Sequence, residues 1–233
     1  DFIRNVNHEL RTPSMTLSIT TEMLYYANER LSTTERASYL EMAFRSIERL
    51  RAILDTVLNF QRTGVGIGKV AFVAVPVRGA VEDAMALTEM IVPLKAHHLR
   101  MNVAEHLSIW GNAALLQEVL VNLLTNAHKY SAPTAPIEIV AYQRQMKGAT
   151  SPFIELRVRD YGLGIPPNQA HLLFQRLSRL PRDIESTIPG SGLGLALCKM
   201  IVEAMGGTIR FESTGRPGAG TIFIVALPLP PQH

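Results

Sequence analysis

Apolar and polar residues alternate with the period of an α-helix over the first sixty positions. In residues 2–31 the apolar side chains recur at steps of three and four, with Thr20 as a polar interruption. Ser32 and Glu35 form a capping-box pattern, which predicts the start of a second helix. The two stripes consist of Phe2, Val6, Leu10, Pro13, Leu17, Leu24, Ala27 and Leu31, and of Leu40, Phe44, Ile47, Leu50, Leu54 and Leu58. One hairpin offers too little surface to bury both stripes, so the pattern predicts a dimeric antiparallel four-helix bundle.

A glycine-rich segment at 64–69 interrupts this pattern and predicts a linker. We therefore expect a helical hairpin at 1–63, a linker at 64–69 and a second domain at 70–233. In that domain the patterns predict strands at 70–75, 99–104, 107–110, 137–145, 153–160, 208–213 and 220–227. They predict helices at 76–96, 113–130, 168–174 and 193–205, with a loop and mobile lid around 180–188. Helices and mostly antiparallel strands in this order favour an α/β sandwich, so the fold class is α+β.

Composition narrows the possible functions. The chain has 233 residues, 47% of them hydrophobic, and a net charge of +3, which is typical of a globular protein. The sequence contains no run of Lys and Arg that would indicate a nucleic-acid surface. It also contains no stretch of about 18 apolar residues that would predict membrane contact. Cys198 lies in an apolar run and is expected to be a buried structural thiol. Because the chain begins at Asp1 inside a predicted helix, we expect it to be a fragment with an upstream part missing.

His8 stands out on the first predicted helix. A helix turns by about 100° per residue, which puts His8 roughly 200° from Val6 and from Leu10 and so away from the apolar stripe. Glu9 can hydrogen-bond one ring N–H and leave the other nitrogen as a nucleophile. Thr12 lies one turn along the same face, where its hydroxyl could orient a water molecule. An ordinary surface histidine is the alternative interpretation of this position.

Two further segments offer groups suited to a nucleotide. Asn122 and Asn126 share a helix face with Lys129, and an amide oxygen suits Mg²⁺ while a lysine neutralises phosphate. Asp160 follows a predicted strand and can accept a hydrogen bond from the amino group of adenine. The glycines at 162 and 164 let the backbone approach the base. Solvated asparagines and a simple turn are the alternative interpretations of the two segments.

A third segment, residues 190–194, carries alternating glycines and opens a predicted helix, whose N-terminus favours anions. It is neither a Walker loop nor a dinucleotide fingerprint, because no Gly-Lys-Ser/Thr follows and no strand precedes it. An ordinary helix start is the alternative for this segment alone.

Taken together, these segments resemble the sensor histidine kinases of two-component systems. Residues 8–13, His-Glu-Leu-Arg-Thr-Pro, resemble the family's H-box, and residues 116–131, 160–165 and 190–194 resemble its N, G1 and G2 boxes in the family's order. Asn7, Ser14 and Leu177 depart from the usual residues, the last within a weakened F-box at 173–179. The resemblance covers almost the whole chain. It implies a dimerisation and phosphotransfer hairpin followed by an ATP-binding domain of the GHKL (Bergerat) type.

The resemblance also implies roles for individual residues. His8 would accept the phosphoryl group of MgATP, Glu9 would act as base or tautomer-setter, and Thr12 would serve dephosphorylation of a response regulator. That partner's receiver domain would take the phosphoryl group from His8 on an aspartate. The implied nucleotide-binding residues are Asn122, Asn126 (which would also contact Mg²⁺), Lys129, Tyr130, Asp160, Gly162, Gly164, Ile165, Arg179 (or Arg176 in its place), Gly190, Ser191, Gly192, Leu193 and Gly194.

Three alternatives and a location complete these expectations. Another GHKL ATPase would share the ATP site but lack the His8 segment. A non-catalytic pseudokinase scaffold is disfavoured by the intact asparagines, Asp160 and glycines, and a core acting mainly as a phosphatase is allowed by Thr12. The linker must let the ATP-binding domain reach the histidine helix of its own or the other protomer. We expect a cytoplasmic location, either of a soluble protein or of the cytoplasmic part of a membrane-anchored sensor.

Overall fold

An N-terminal helical hairpin opens the fold. The computed structural model describes residues 2–27, 30–63, 71–94, 98–145, 152–175, 178, 180–185, 192 and 194–231. Helix α1 spans Phe2–Tyr26 and helix α2 spans Thr33–Thr63. The capping box forms as predicted, since Ser32 Oγ accepts from the Glu35 N–H at 3.2 Å and Glu35 Oε2 accepts from the Ser32 N–H at 2.9 Å. The predicted hairpin is therefore confirmed, whereas the linker at 64–69 lies outside the described residues.

Small and polar side chains fill the contact between α1 and α2. Pro13 and Thr20 of α1 and Ala43 and Ser46 of α2 are buried. The hydroxyl of Thr20 donates to the Thr16 carbonyl at 2.8 Å, so the polar interruption in the stripe is satisfied within its own helix. Thr20 is thus part of the buried face rather than a gap in it.

The predicted stripe of α2 is largely exposed within a single chain, as the expectation of a dimeric bundle implies. Leu40, Phe44 and Ile47 are 55%, 63% and 49% exposed, and the sequence analysis expects a second chain to bury them. The in-chain contact instead uses the adjacent face with Ala43 and Ser46, where small side chains let the helices approach closely. Two neighbouring faces of α2 can each be buried, and periodicity alone does not distinguish a contact within the chain from one with another chain.

A five-stranded sheet forms the base of the remaining chain, in the order β2-β4-β5-β7-β6. Strands β2 and β4 are parallel and all other neighbours are antiparallel. A separate antiparallel pair joins β1 to β3. The strands are β1 Val73–Pro76, β2 Leu99–Val103, β3 Ser108–Gly111, β4 Ile137–Arg144, β5 Phe153–Arg159, β6 Thr208–Ser213 and β7 Thr221–Pro228. The last strand, β7, inserts between β5 and β6, which brings the start of β7 beside the end of β5.

Helices cover one face of this sheet, and buried apolar side chains of the helices and of the strands form the core between them. The helices are α3 Val77–Ile91, α4 Ala113–Tyr130, α5 Pro181–Glu185 and α6 Gly194–Ala204, with a 3-10 helix at Pro167–Leu172. Asn112 caps α4 as predicted, its Oδ1 accepting from the Leu115 N–H at 3.2 Å. The predicted α+β fold is confirmed. Within the described parts of the chain, no helix is long and apolar enough to cross a bilayer.

Two element predictions need correction. Helix α3 ends at Ile91 rather than near residue 96, because Val92 precedes a proline and is extended, with φ −139° and ψ 151°. The segment around 180–188 contains the short helix α5 where the sequence predicts only a loop. Pro181 occupies the first position of that helix and Asp183 its first turn, both of which favour a helix start.

Candidate nucleotide-binding site

Helix α4 presents its polar side chains to a cavity because its apolar side chains hold it against the core. Leu116, Leu120, Leu123 and Leu124 are buried, as the sequence predicts. The opposite face directs Asn122, Asn126 and Lys129 into the cavity. The Nδ2 of Asn122 donates to the Glu118 carbonyl at 3.1 Å, which orients its amide oxygen toward the start of α6.

A buried carboxylate, Asp160, lies at the end of β5. Its Oδ1 accepts the N–H of Gly162 at 2.9 Å and the N–H of Thr221 at 3.2 Å. Among the described residues no donor reaches its Oδ2, so this oxygen is available as an acceptor in the cavity that Asp160 lines. Burial raises the pKa of Asp160, while the backbone hydrogen bonds from Gly162 and Thr221 and the charge of Arg159 oppose that rise.

The Asp160 loop, residues 160–165, packs against the C-terminal end of α4. The Leu163 N–H donates to the Tyr130 carbonyl at 3.2 Å. A Cβ on Gly162 would lie 2.1 Å from that carbonyl oxygen, so only glycine allows this approach. Gly164 has a φ of 67°, in the left-handed region. These contacts join Tyr130 and Asp160 into one wall of the cavity.

The N-terminus of α6 forms the opposite wall. A Cβ on Gly194 would lie 2.5 Å from Asn122 Oδ1, which explains why glycine begins this helix. Gly192 and Leu195 line the cavity beside it. The free backbone N–H groups of a helix start, together with Lys129 across the cavity, form a site suited to a polyphosphate.

The structure therefore brings most of the predicted nucleotide residues to one cavity. Its lining includes Asn122, Asn126, Lys129, Tyr130, Asp160, Gly164, Ile165, Gly192 and Gly194, with Gly162 directly behind it. Arg176, Arg179, Gly190, Ser191 and Leu193 lie outside the described residues. His8 and Glu9 belong to α1, where only their backbone is described, and Thr12 is exposed on the same helix.

Several lining residues escape the sequence analysis. Thr221 comes from β7, Leu180, Arg182 and Asp183 from the segment around α5, and Phe223 from the sheet. Arg182 donates to the Gly164 carbonyl through Nη2, and Asp183 is buried. No sequence motif marks these positions, because strand pairing and the packing of α5 bring them to the cavity.

The residues present also fit a magnesium ion held with a nucleotide. Among the described residues no group of three His, Cys, Asp or Glu could hold a metal. Asn126 offers an amide oxygen inside the cavity. Mg²⁺ commonly binds through one or two protein oxygens plus substrate phosphates and water, which matches this donor set.

Comparisons with known proteins agree with this geometry. Residues 111–231 match the family described as "Histidine kinase-, DNA gyrase B-, and HSP90-like ATPase", and residues 1–66 match "His Kinase A (phospho-acceptor) domain". The chain is 29% identical to the circadian input-output histidine kinase CikA of Thermosynechococcus vestitus, over 98% of this chain and 31% of that protein. It is 30% identical to the sensor-like histidine kinase SenX3 of Mycobacterium tuberculosis, over 98% of this chain and 53% of that protein.

Among solved structures, the mycobacterial sensor histidine kinase MprB is similar with a TM-score of 0.59 and 27% identity, covering 70% of this chain and 100% of that one. The full-length ShkA structure in complex with AMPPNP shares the fold, with a TM-score of 0.60 and 22% identity over 97% of this chain and 45% of that one. The chain spans between about a third and about half of the length of the two curated relatives named above.

Proposed function

The chain belongs to the sensor histidine kinases of two-component systems, and from this premise we propose that it is an ATP-dependent protein-histidine kinase core that phosphorylates His8. In this proposal residues 1–63 form the dimerisation and phosphotransfer hairpin, 64–69 the linker and 70–233 the ATP-binding domain. The segment acts in the cytoplasm, where ATP is available. The convergence of an accessible Asp160 oxygen, the α4 asparagines and the α6 N-terminus on one cavity is the observation that supports it most.

In this proposal, different residues of the cavity contact the base, the phosphates and the magnesium ion. Asp160 Oδ2 accepts a hydrogen bond from the adenine amino group, and Ile165 and Tyr130 border the base. The α6 N-terminus, with Gly192 and Gly194, and Lys129 neutralise the phosphates, and Asn122 lines their site. Asn126 holds Mg²⁺, which supplies charge neutralisation on the phosphates when bound. Gly190, Ser191, Leu193 and Arg179 lie outside the described residues and are proposed as further phosphate contacts.

Transfer then requires positioning more than chemical activation by the protein. A ring nitrogen of His8 attacks the γ-phosphorus, a P–N bond forms, and the bond from that phosphorus to the β–γ bridging oxygen breaks to release ADP. Glu9 holds the proton on the other ring nitrogen or removes it. A regulator aspartate takes the phosphoryl group as the P–N bond breaks, and Thr12 serves the later hydrolysis of that aspartyl phosphate.

Two exposed apolar stripes on the hairpin support two different partners. On α2, Leu40, Phe44 and Ile47 form a stripe beside the in-chain face, and we assign it to the homodimer. On α1, Met15 and Ile19 are exposed along the face that includes Thr12 at helical spacing, and we assign this stripe to the receiver domain. A helical face beside the phosphoacceptor must stay open for the regulator to reach it.

The kinase assignment is tested with ATP labelled on its γ-phosphate. The chain should acquire an acid-labile, base-stable label that is lost in His8→Ala and in Asn126→Ala. His106→Ala removes a different, exposed histidine and should keep the label. Label that survives His8→Ala contradicts the assignment, and a wild type no more active than Asn126→Ala favours a non-catalytic scaffold.

The two partner assignments are tested separately by placing an aspartate in each stripe. Phe44→Asp should convert the dimer to a monomer in sedimentation analysis, whereas Ser38→Asp, on the opposite side of α2, should not. Ile19→Asp should slow transfer to the receiver domain while leaving dimerisation and self-labelling unchanged. A monomeric Ile19→Asp would instead assign the α1 stripe to the dimer interface.

A further inference from the structure

The turn that joins β6 to β7 supports the Asp160 loop from behind. This turn, residues 214–220, donates the Gly218 N–H to the Gly162 carbonyl at 2.8 Å. Gly220 has a φ of 67°, and a Cβ there would lie 1.9 Å from the Asp160 carbonyl oxygen. The two segments are therefore in direct backbone contact.

The hydroxyl of Ser213, at the end of β6, joins these two segments. Its Oγ accepts the Ile165 N–H at 2.9 Å and donates to the Gly220 carbonyl at 2.8 Å. It also lies 3.4 Å from the Gly215 N–H. A hydroxyl has one proton and two lone pairs, so these three contacts use its whole bonding capacity. One side chain thus ties the last residue of the Asp160 loop to the residue that precedes Thr221.

Both residues joined in this way affect the cavity. Ile165 lines it and is buried, and the Thr221 N–H binds the Oδ1 of Asp160. If Ser213 lost its hydroxyl, the Ile165 N–H and the Gly220 carbonyl would lose their described partner. The end of the loop would then be free to shift relative to the carboxylate.

We propose that Ser213 is a positioning residue for nucleotide binding: its hydroxyl sets the Asp160 carboxylate and Ile165 in place before the base arrives. The inference rests on the proposed function of the cavity. A loop that is already held in its bound conformation increases the affinity for the ligand, because less conformational entropy is lost on binding. The effect concerns the base and not the phosphates, because the described partners of Ser213, at Ile165, Gly220 and Gly215, belong to the Asp160 loop and the turn behind it.

The test measures binding of ATP, ADP and adenosine by calorimetry, and initial rates of His8 labelling. Ser213→Ala should weaken all three ligands by the same factor, about 5- to 10-fold, as expected for the loss of one or two hydrogen bonds. The KM for ATP should rise accordingly while the labelling rate at saturating ATP stays unchanged. Ser213→Thr keeps the hydroxyl on a strand-compatible residue and should restore affinity.

Thr214→Ala is the matched control. Among the described residues its hydroxyl accepts just the Arg216 N–H, at 3.4 Å, within the turn itself, so its loss should leave affinity at the wild-type value. Hydrogen exchange adds a local readout: in Ser213→Ala the amides of the Asp160 loop should exchange faster without a general rise across the sheet.

Three results would overturn the inference: wild-type affinity in Ser213→Ala, a fall in the saturated rate with KM unchanged, or weakening of ATP but not of adenosine. The proposed kinase activity is tested separately, by labelling of His8 in the wild type. A wild type that binds adenosine without labelling His8 contradicts the kinase and leaves the Ser213 comparison valid, because that comparison is made in binding. A wild type that binds no adenosine overturns both.

Discussion

Replacing Asp160 with Asn would separate the two roles of this buried carboxylate, which are to accept backbone N–H groups within the loop and to offer an acceptor to the cavity. The amide oxygen of Asn can take the place of Oδ1 and keep the N–H bonds from Gly162 and Thr221, which measure 2.9 and 3.2 Å. The amide nitrogen takes the place of Oδ2. An acceptor facing the cavity therefore becomes a donor, while the loop keeps its internal hydrogen bonds.

The expected loss of ATP affinity follows from that exchange. A hydrogen bond to a charged group contributes about 1.5–3 kcal/mol, which corresponds to roughly 10- to 150-fold in the dissociation constant. In Asp160→Asn the adenine amino group would meet a second donor. A hypoxanthine nucleotide, whose ring has a carbonyl at that position, should lose less affinity or gain some, so the preference for adenine should shrink or reverse.

The stability of the ligand-free protein should change in the opposite direction. Because burial raises the pKa of Asp160, the carboxyl stabilises the fold most below its unfolded pKa, and that contribution is lost as the pH rises through the folded pKa. At neutral pH the ionised group is therefore unfavourable. Asp160→Asn should melt at a higher temperature than the wild type at pH 7, and the two should converge as the solution is acidified.

The assay is calorimetric titration with ATP and with the hypoxanthine nucleotide, which has a carbonyl in place of the 6-amino group. Thermal melts of the ligand-free proteins are recorded from acid to neutral pH. The wild type should bind ATP more tightly than the hypoxanthine nucleotide, whereas in Asp160→Asn this preference should shrink or reverse. Equal ATP affinity in wild type and variant, or a lower melting temperature of the ligand-free variant at pH 7, would refute the reasoning.

Three more perturbations test separate parts of the structure. Gly220→Ala and Gly218→Ala both place alanine at a positive φ, 67° and 83°, but of the two new Cβ atoms the one at position 220 alone overlaps backbone atoms. Gly220→Ala should therefore melt several degrees lower than Gly218→Ala. Equal melting temperatures would contradict this. Arg182→Ala removes the donor to the Leu163 and Gly164 carbonyls of the Asp160 loop and should weaken ATP and ADP by the same factor, about three or more, as the loss of two hydrogen bonds to neutral acceptors warrants. Weakening of ATP alone would instead indicate a γ-phosphate contact. Burial raises the pKa of Glu155, but hydrogen bonds from Arg157 and Tyr142 outweigh that effect, so the net pKa lies below its ordinary value. The carboxylate therefore stabilises the fold above its unfolded pKa and loses this effect as the pH falls through the folded value, so the melting-temperature advantage of wild type over Glu155→Gln should disappear on acidification; an advantage unchanged by pH would refute it.

The parts of the site that lie within continuous segments could be predicted from the sequence. Asn122, Asn126 and Lys129 share a helix face by spacing alone, and a glycine run before a helix indicates an anion site wherever the helix lies. Cys198 is fully buried, as its apolar surroundings predict, and burial raises the pKa of its thiol. Each of these inferences needs only the local chain geometry.

Other parts depend on pairings between distant segments. Thr221 reaches Asp160 only because β7 inserts between β5 and β6, and Ser213 reaches Ile165 across a separation of 48 positions. Arg182 acts on the Asp160 loop because α5 folds beside it. None of these residues has a neighbour in sequence that indicates its role.

Periodicity, caps and motif spacing determined the helical hairpin, most element positions and the chemistry of the nucleotide segments, because a helix turn or a strand alternation is set by neighbours within a few residues. Tertiary structure alone decided which face of α2 meets α1 and which turn supports the Asp160 loop. Those outcomes depend on strand order, close packing and backbone hydrogen bonds between segments far apart in the chain, and free energy summed over such contacts is not encoded at any one position.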